Sequence, residues 1–239
     1  MHDADRQSPD RRRVLLGVVP AMLLPFVASL VYFILLTESR LTQVLYSATK
    51  VFTLLWPAAA LWWIEKRPLR TRHVTLREHL RAVPLGAGSG LVIAGVIVGA
   101  YALTPLGDYV RGFADTVRER TERLGVVDHY VLFGLFLAIA HSLIEEYYWR
   151  WYVFGRLVTV VPRGVAYGLA SLAFAAHHYV ILGCYFSPPG MILFGTCVGI
   201  GGAFWCWLFR RQNTLLGSWI SHALVDAAIL GVGHQLLFR

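Results

Sequence analysis

The sequence predicts an all-α membrane protein, a polytopic bundle of about seven transmembrane helices plus one interfacial amphipathic helix. Three observations predict it. Apolar residues make up 56% of the 239 positions and charged residues 15%, with a mean hydropathy of +0.55; a soluble chain of this length needs more polar surface. Apolar runs long enough to cross a bilayer recur along the whole chain. Lys and Arg alternate in density from one connection to the next, as in a chain that threads back and forth.

Residues 1–13 read as a cytoplasmic tail, with Arg6, Arg11, Arg12 and Arg13 ahead of the first apolar run. That run, 14–36, is too long for a signal peptide and no small-residue cleavage site follows it, so it reads as a retained span. Pro20 and Pro25 should kink it. The second span, 42–64, carries Lys50 about 13 Å from its start, too deep to snorkel comfortably. Lys50 is expected to pair with Glu146, Asp226 or a substrate carboxylate. The third span is placed at 84–106. Residues 107–125 are amphipathic: Val110, Phe113, Val117 and Leu124 share one helical stripe amid charges of both signs, which predicts an interfacial helix or lid. Four further spans follow at 131–158, 164–184, 190–209 and 214–237. Cys184, Cys197 and Cys206 are too few and too irregularly spaced for a disulfide framework or a zinc cluster, and read as packing residues. The chain is one integral-membrane domain over 1–239, with no extramembrane domain, repeat or low-complexity tract.

The net charge of +8 does not point to nucleic acid. Fifteen of the 22 Lys and Arg residues fall on the side of the tail, among them Lys66, Arg67, Arg70, Arg72, Arg77, Arg81, Arg156, Arg163, Arg210 and Arg211. Six fall on the other side, Arg40, Arg111, Arg118, Arg120, Arg123 and Arg239. By the positive-inside rule the N-terminus is expected in the cytoplasm of a bacterial cell. Anionic lipid is a secondary partner for the basic loops.

Ionisable residues inside spans are costly and tend to face a cavity or one another. Here they are Lys50, His141, Glu145, Glu146, Arg150, His177, His178, His222 and Asp226, with His234 near the end of the last span. A rise of about 1.5 Å per residue places Glu145 and His222 about 16 Å, and His178 and Asp226 about 22 Å, from the inner ends of their spans. Three helices thus deliver ionisable groups to one slab near the midplane. On a regular helix Glu145 and Glu146 point in different directions. Arg150, four residues after Glu146, supports an ion pair with it. Glu146 then reads as tethered and Glu145 as the freer carboxylate, suited to act as a general base. His141 shares the face of Glu145 and is expected to tune it or to satisfy it by a hydrogen bond. Phe174 and His178 share a face, whereas His177 points away and reads as a helix-contact residue. His222 and Asp226 also share a face, as a metal pair, an oxyanion site or a buried hydrogen bond.

Three segments, "EEYYWR" at 145–150, "FAAHH" at 174–178 and "HALVD" at 222–226, together resemble the type II CAAX-protease (CPBP or ABI) family of intramembrane proteases, with its ordered EExxxR, FxxxH and HxxxN/D pattern. The resemblance covers roughly residues 130–230, the expected catalytic core. It implies an endopeptidase that cleaves a membrane-anchored protein or peptide. Glu145 and His178 would activate water, and His222 and Asp226 would stabilise the oxyanion, with Glu146 and Arg150 in support. Where many relatives have Asn, this chain has Asp226: a protonated donor, a group that orients His222, or a metal ligand. A metal-free reaction is the favoured expectation; zinc held by Glu145, His178, His222 and Asp226 is the other. Two competing readings are a non-catalytic membrane partner of the bacteriocin-immunity kind and a proton-coupled transporter. The transporter reading lacks the internal repeat common in such folds.

Overall fold

A computed structural model of the chain describes residues 10–36, 40–67 and 74–238. Residues 1–9 of the predicted tail, including Arg6, and Arg70, Arg72 and Arg239 lie outside the described residues. Among the described residues, seven helices are long and apolar enough to cross a membrane: α1 (Arg11–Leu35), α2 (Leu41–Ile64), α3 (Leu76–Leu103), α6 (Val127–Leu157), α7 (Arg163–Gly183), α8 (Pro188–Gln212) and α9 (Leu215–Phe238). Two short helices, α4 (Pro105–Arg111) and α5 (Ala114–Arg123), join α3 to α6. No strand occurs among the described residues. The protein is an all-α polytopic membrane protein.

Two boundaries differ from expectation for local reasons. Helix α3 begins at Leu76, well before the predicted 84, because Thr75 and Glu78 form a capping box: Thr75 N donates to Glu78 Oε2 at 2.8 Å and Glu78 N to Thr75 Oγ1 at 3.3 Å. The predicted interfacial helix over 107–125 is two helices broken at Gly112 and Phe113. Thr104 caps the first, with Pro105 in its first turn. Val110 is buried and Phe113 packs on Phe186, but Leu124 is exposed, because the helix ends there and Gly125 turns the chain at φ +68°.

The bundle packs through small residues. Helix α9 lies along α3, and α8 along α7. A Cβ placed on Gly86 would sit 2.5 Å from the carbonyl oxygen of Gly217, and one on Gly90 2.9 Å from the Cα of Ser221. Gly86 and Gly90 on one helix thus face Gly217 and Ser221 on the other, each pair one turn apart. This is the close backbone approach that membrane helices use where apolar area gives no advantage over lipid. Ser89 also donates to Ser221 at 3.3 Å or accepts from it. Large apolar residues such as Leu54, Val96, Leu132, Leu172 and Ile200 are exposed, as a lipid-facing surface requires.

Pro25 in α1 has a use. Pro25 has no N–H, which frees the carbonyl of Ala21 one turn earlier. The hydroxyl of Tyr148, on α6, donates to that carbonyl at 2.8 Å. Nearer the C-terminal end of α6, Arg156 binds both oxygens of Glu65 at the end of α2.

The α3–α9 seam predicts a difference between two identical substitutions. Gly86→Ala should destabilise the protein by about 1–3 kcal/mol, since the methyl meets backbone. Gly95→Ala, with nothing within 4 Å of the new atom, should be neutral or stabilising by up to about 1 kcal/mol. Thermal unfolding in detergent micelles measures both, and equal effects would remove the seam from the account.

Candidate active site

The site begins with the geometry of α6. Within it, Leu137–His141 and Glu146–Phe154 are π-helical. The wider turn advances each residue through a smaller angle than an α-helix, and such segments concentrate at functional sites. Glu145 closes the four-residue α-turn between the two, and Glu146 opens the second π segment. The two carboxylates therefore leave the helix in different local frames.

Glu146 and Arg150 are completely buried. Arg150 Nη1 is 3.1 Å from Glu146 Oε1. This is an ion pair by distance, while the N–H groups of Arg150 are not aligned to hydrogen-bond any described residue. The guanidinium instead lies over two rings, 4.3 Å from the centroid of Phe174 and 5.0 Å from that of Trp205, where cation–π attraction replaces part of the lost hydration. The same Glu146 oxygen is 2.9 Å from His222 Nδ1. A carboxylate only accepts, so Nδ1 carries the proton and donates it. Trp205 stacks on the His222 ring, with centroids 3.9 Å apart and planes at 18°, and donates from Nε1 to Ser221 at 3.2 Å.

Glu145 is also buried, yet its neighbours differ. Its Oε1 is 3.3 Å from His141 Nε2 and 3.7 Å from His177 Nε2, and its Oε2 is 3.6 Å from His222 Nε2. No Arg or Lys lies within ion-pair distance of it among the described residues. His178 donates from Nδ1 to the Phe174 carbonyl at 2.9 Å. That bond assigns the Nδ1–H tautomer of the neutral ring and leaves a lone pair on Nε2. Asp226 Oδ1 is 3.6 Å from His222 Nε2, too far for a hydrogen bond, and its side chain is 23% exposed.

The structure thus brings Glu145, His178, His222 and Asp226 into one cluster, with Glu146 and Arg150 behind it. His177 is a helix-contact residue, as expected: it lies parallel to the Trp149 ring of α6, with centroids 5.7 Å apart, and it also reaches Glu145. The crossing of α7 over α6 turns it inward, which a single helix period does not reveal. Lys50 does not pair with Glu146 or Asp226. Glu146 is taken by Arg150 and His222, and the Lys50 ammonium sits 5.1 Å from the Tyr46 ring centroid, within electrostatic reach of Glu145. Glu146 and Asp226 flank the His222 ring at its two nitrogens, Glu146 by a hydrogen bond at 2.9 Å and Asp226 at 3.6 Å. Trp205 and Tyr46 carried no signal in the sequence. The "HH" doublet could have flagged His177. His234 lies apart, beside Tyr130 and Phe238.

The set whose donor atoms approach one another as metal ligands is Glu145, His177 and His178, all within 4.8 Å. That differs from the four-residue set expected from the motifs. One carboxylate with two imidazoles is a donor set that catalytic zinc uses, and the cluster would close by about an ångström to reach tetrahedral spacing. These three residues would hold such an ion, which would polarise water or a carbonyl there.

Residues 127–228 match the family model described as type II CAAX prenyl endopeptidase Rce1-like. The likeness to that family read from the three motifs is therefore shown over this segment, which runs from the start of α6 into α9. The family implies a peptidase acting on a protein or peptide at a lipid bilayer. No curated protein and no solved structure matches the chain.

The Glu146 network makes a stability prediction. Arg150→Met should destabilise the protein by roughly 3–5 kcal/mol, because it leaves a buried carboxylate with His222 alone. Adding Glu146→Gln should recover part of that loss, since the two residues act as a pair. Thermal unfolding of the single and double variants measures the coupling; strictly additive effects would contradict it.

Proposed function

We propose that this chain, whose residues 127–228 match the type II CAAX endopeptidase family, is an intramembrane endopeptidase that cleaves a membrane-anchored protein or peptide. The observation that carries this reading is one buried carboxylate, Glu145, surrounded by imidazoles with no guanidinium at ion-pair distance among the described residues, next to a second that is neutralised by Arg150. On the positive-inside rule the end of the bundle bearing Arg156, Arg163, Arg210 and Arg211 faces the cytoplasm of a bacterial cell.

The chemistry is general-base hydrolysis. Water lies between Glu145 and the Nε2 lone pair of His178. Glu145 takes one proton as the water oxygen bonds to the scissile carbonyl carbon. His178 accepts a hydrogen bond from the second O–H and aims the attacking lone pair. The carbonyl oxygen becomes an oxyanion. His222 acts as an imidazolium: its Nδ1–H is given to Glu146, and its Nε2–H donates to that oxyanion. Asp226, beside His222 Nε2, faces the same oxyanion as a protonated carboxyl, the form that can donate. The C–N bond then breaks, and the proton on Glu145 passes to the leaving amine. The products are a new carboxyl terminus and a new amine, with water consumed. This sequence uses only side chains of the chain.

Two substitutions test separate parts of the reading. Glu145→Gln should keep fold and membrane insertion and lose cleavage by at least about a hundredfold. Mass spectrometry of all membrane-protein termini from matched cells reads this out and names the substrate by the terminus found only with wild type. Identical termini at equal expression would shift the reading to a non-catalytic membrane partner. Asp226→Asn, which keeps a donor at the same place, should retain cleavage, and Asp226→Ala should lose it. Loss of cleavage with Asn would mean that Asp226 works as an ionised carboxylate, as a base or a ligand.

A further inference from the structure

At the basic end of the bundle, away from the catalytic cluster, the ends of α2, α6 and α8 surround a cleft of about 370 Å³. Arg67, Arg156 and Arg210 line it, against an apolar wall that includes Leu61, Trp151 and Phe209. Arg156 gives Nε and Nη2 to Glu65. Arg67 and Arg210 have no carboxylate within ion-pair distance among the described residues. The cleft is therefore a concave, net-positive site with an apolar floor.

Backbone geometry aims these residues. Among the described residues only Lys66, at φ +51°, and Asn213, at φ +53°, are non-glycine residues in the left-handed region. Both flank this cleft. Lys66 turns the chain so that Arg67 N–H returns to the carbonyl of Leu61 at 2.9 Å. Asn213 ends α8 directly after Arg210 and Arg211, and itself lines the cleft. Lysine has no intrinsic liking for this conformation, and strained backbone of this kind gathers at ligand clamps. Depth identifies the ligand's surroundings. Trp62 and Trp63, at 67% and 74% exposure, project from α2 at the same level, as tryptophans do at the membrane interface.

We infer that this cleft binds the phosphodiester headgroup of an anionic phospholipid. Arg67 and Arg210 take the phosphate oxygens, and the acyl chain runs along Trp151 and Phe209 toward the membrane interior. Guanidinium groups suit this task because their planar fork matches phosphate geometry. Basic pockets between helix ends are where such headgroups seat. The inference is independent of the proteolytic reading, since it uses no residue of the catalytic cluster.

Native mass spectrometry of the full chain, delipidated and released from micelles doped with phosphatidylglycerol or phosphatidylcholine, tests it. Wild type should retain phosphatidylglycerol in preference to phosphatidylcholine. Arg67→Ala/Arg210→Ala should weaken phosphatidylglycerol binding about 30-fold, and Arg120→Ala/Arg123→Ala at the opposite end should leave it unchanged. Arg210→Glu, at an exposed position, should abolish the preference even where the double variant folds poorly. Equal retention of the two lipids by wild type, or unchanged retention in Arg210→Glu, would overturn the site. Displacement of the lipid by excess inorganic phosphate alone would overturn the lipid assignment in favour of a soluble anion.

Discussion

One carboxylate oxygen, Oε1 of Glu146, holds the second half of the bundle in register. It meets Arg150 on its own helix and His222 on α9. Arg150 lies over Phe174 of α7 and Trp205 of α8, and Trp205 stacks on His222. Four helices are thus tied through a single buried charge. Such a charge is tolerated in a low-dielectric interior only when its partners are placed correctly. The cluster therefore selects one arrangement of α6, α7, α8 and α9 over the sliding alternatives that lipid-like packing would permit. Its contribution is better described as specificity of register than as stability.

The adjacent carboxylate, Glu145, depends on that tether without sharing it. With Arg150 occupied by Glu146, no guanidinium among the described residues neutralises Glu145, and its neighbours are imidazoles that can exchange protons. A wide-turned segment of α6 separates the two acids in direction, while Tyr148, two residues beyond Glu146, anchors the segment on the carbonyl freed by Pro25. An apparent flaw in α1, a proline inside a membrane helix, thereby supplies the acceptor that fixes the site-bearing helix. On the other side, the glycine and serine seam between α3 and α9 sets how near His222 can come.

The two ends of the bundle differ in kind. At the less basic end α4 and α5 cover the start of α8 and the end of α9: Tyr109 shares a hydrogen bond with Ser187, and Arg118 donates to the Leu237 carbonyl. At the basic end helices α2, α6 and α8 leave a cleft lined with arginine. The polar chemistry lies between them, enclosed by apolar surface that faces outward along every span.

Hydropathy alone determined the helical class, the number of spans and their approximate limits, because a bilayer imposes length and composition on each span separately. Rise per residue was enough to put Glu145, His178, His222 and Asp226 at one depth, because depth is additive along a single helix. The pairing of Glu146 with Arg150 was legible for the same reason, both residues being on one helix a turn apart. The partners of Glu145 were not. The helical period gave His177 a neighbouring helix but not Glu145, and it offered Lys50 Glu146, Asp226 or a substrate carboxylate, because a helical wheel assumes a regular period and contains no neighbour. Which imidazole faces which carboxylate depends on how α6 and α7 cross, on the widened turn within α6 and on how closely glycines let α9 approach α3. Those are properties of helix pairs, and only the packed tertiary structure decided them.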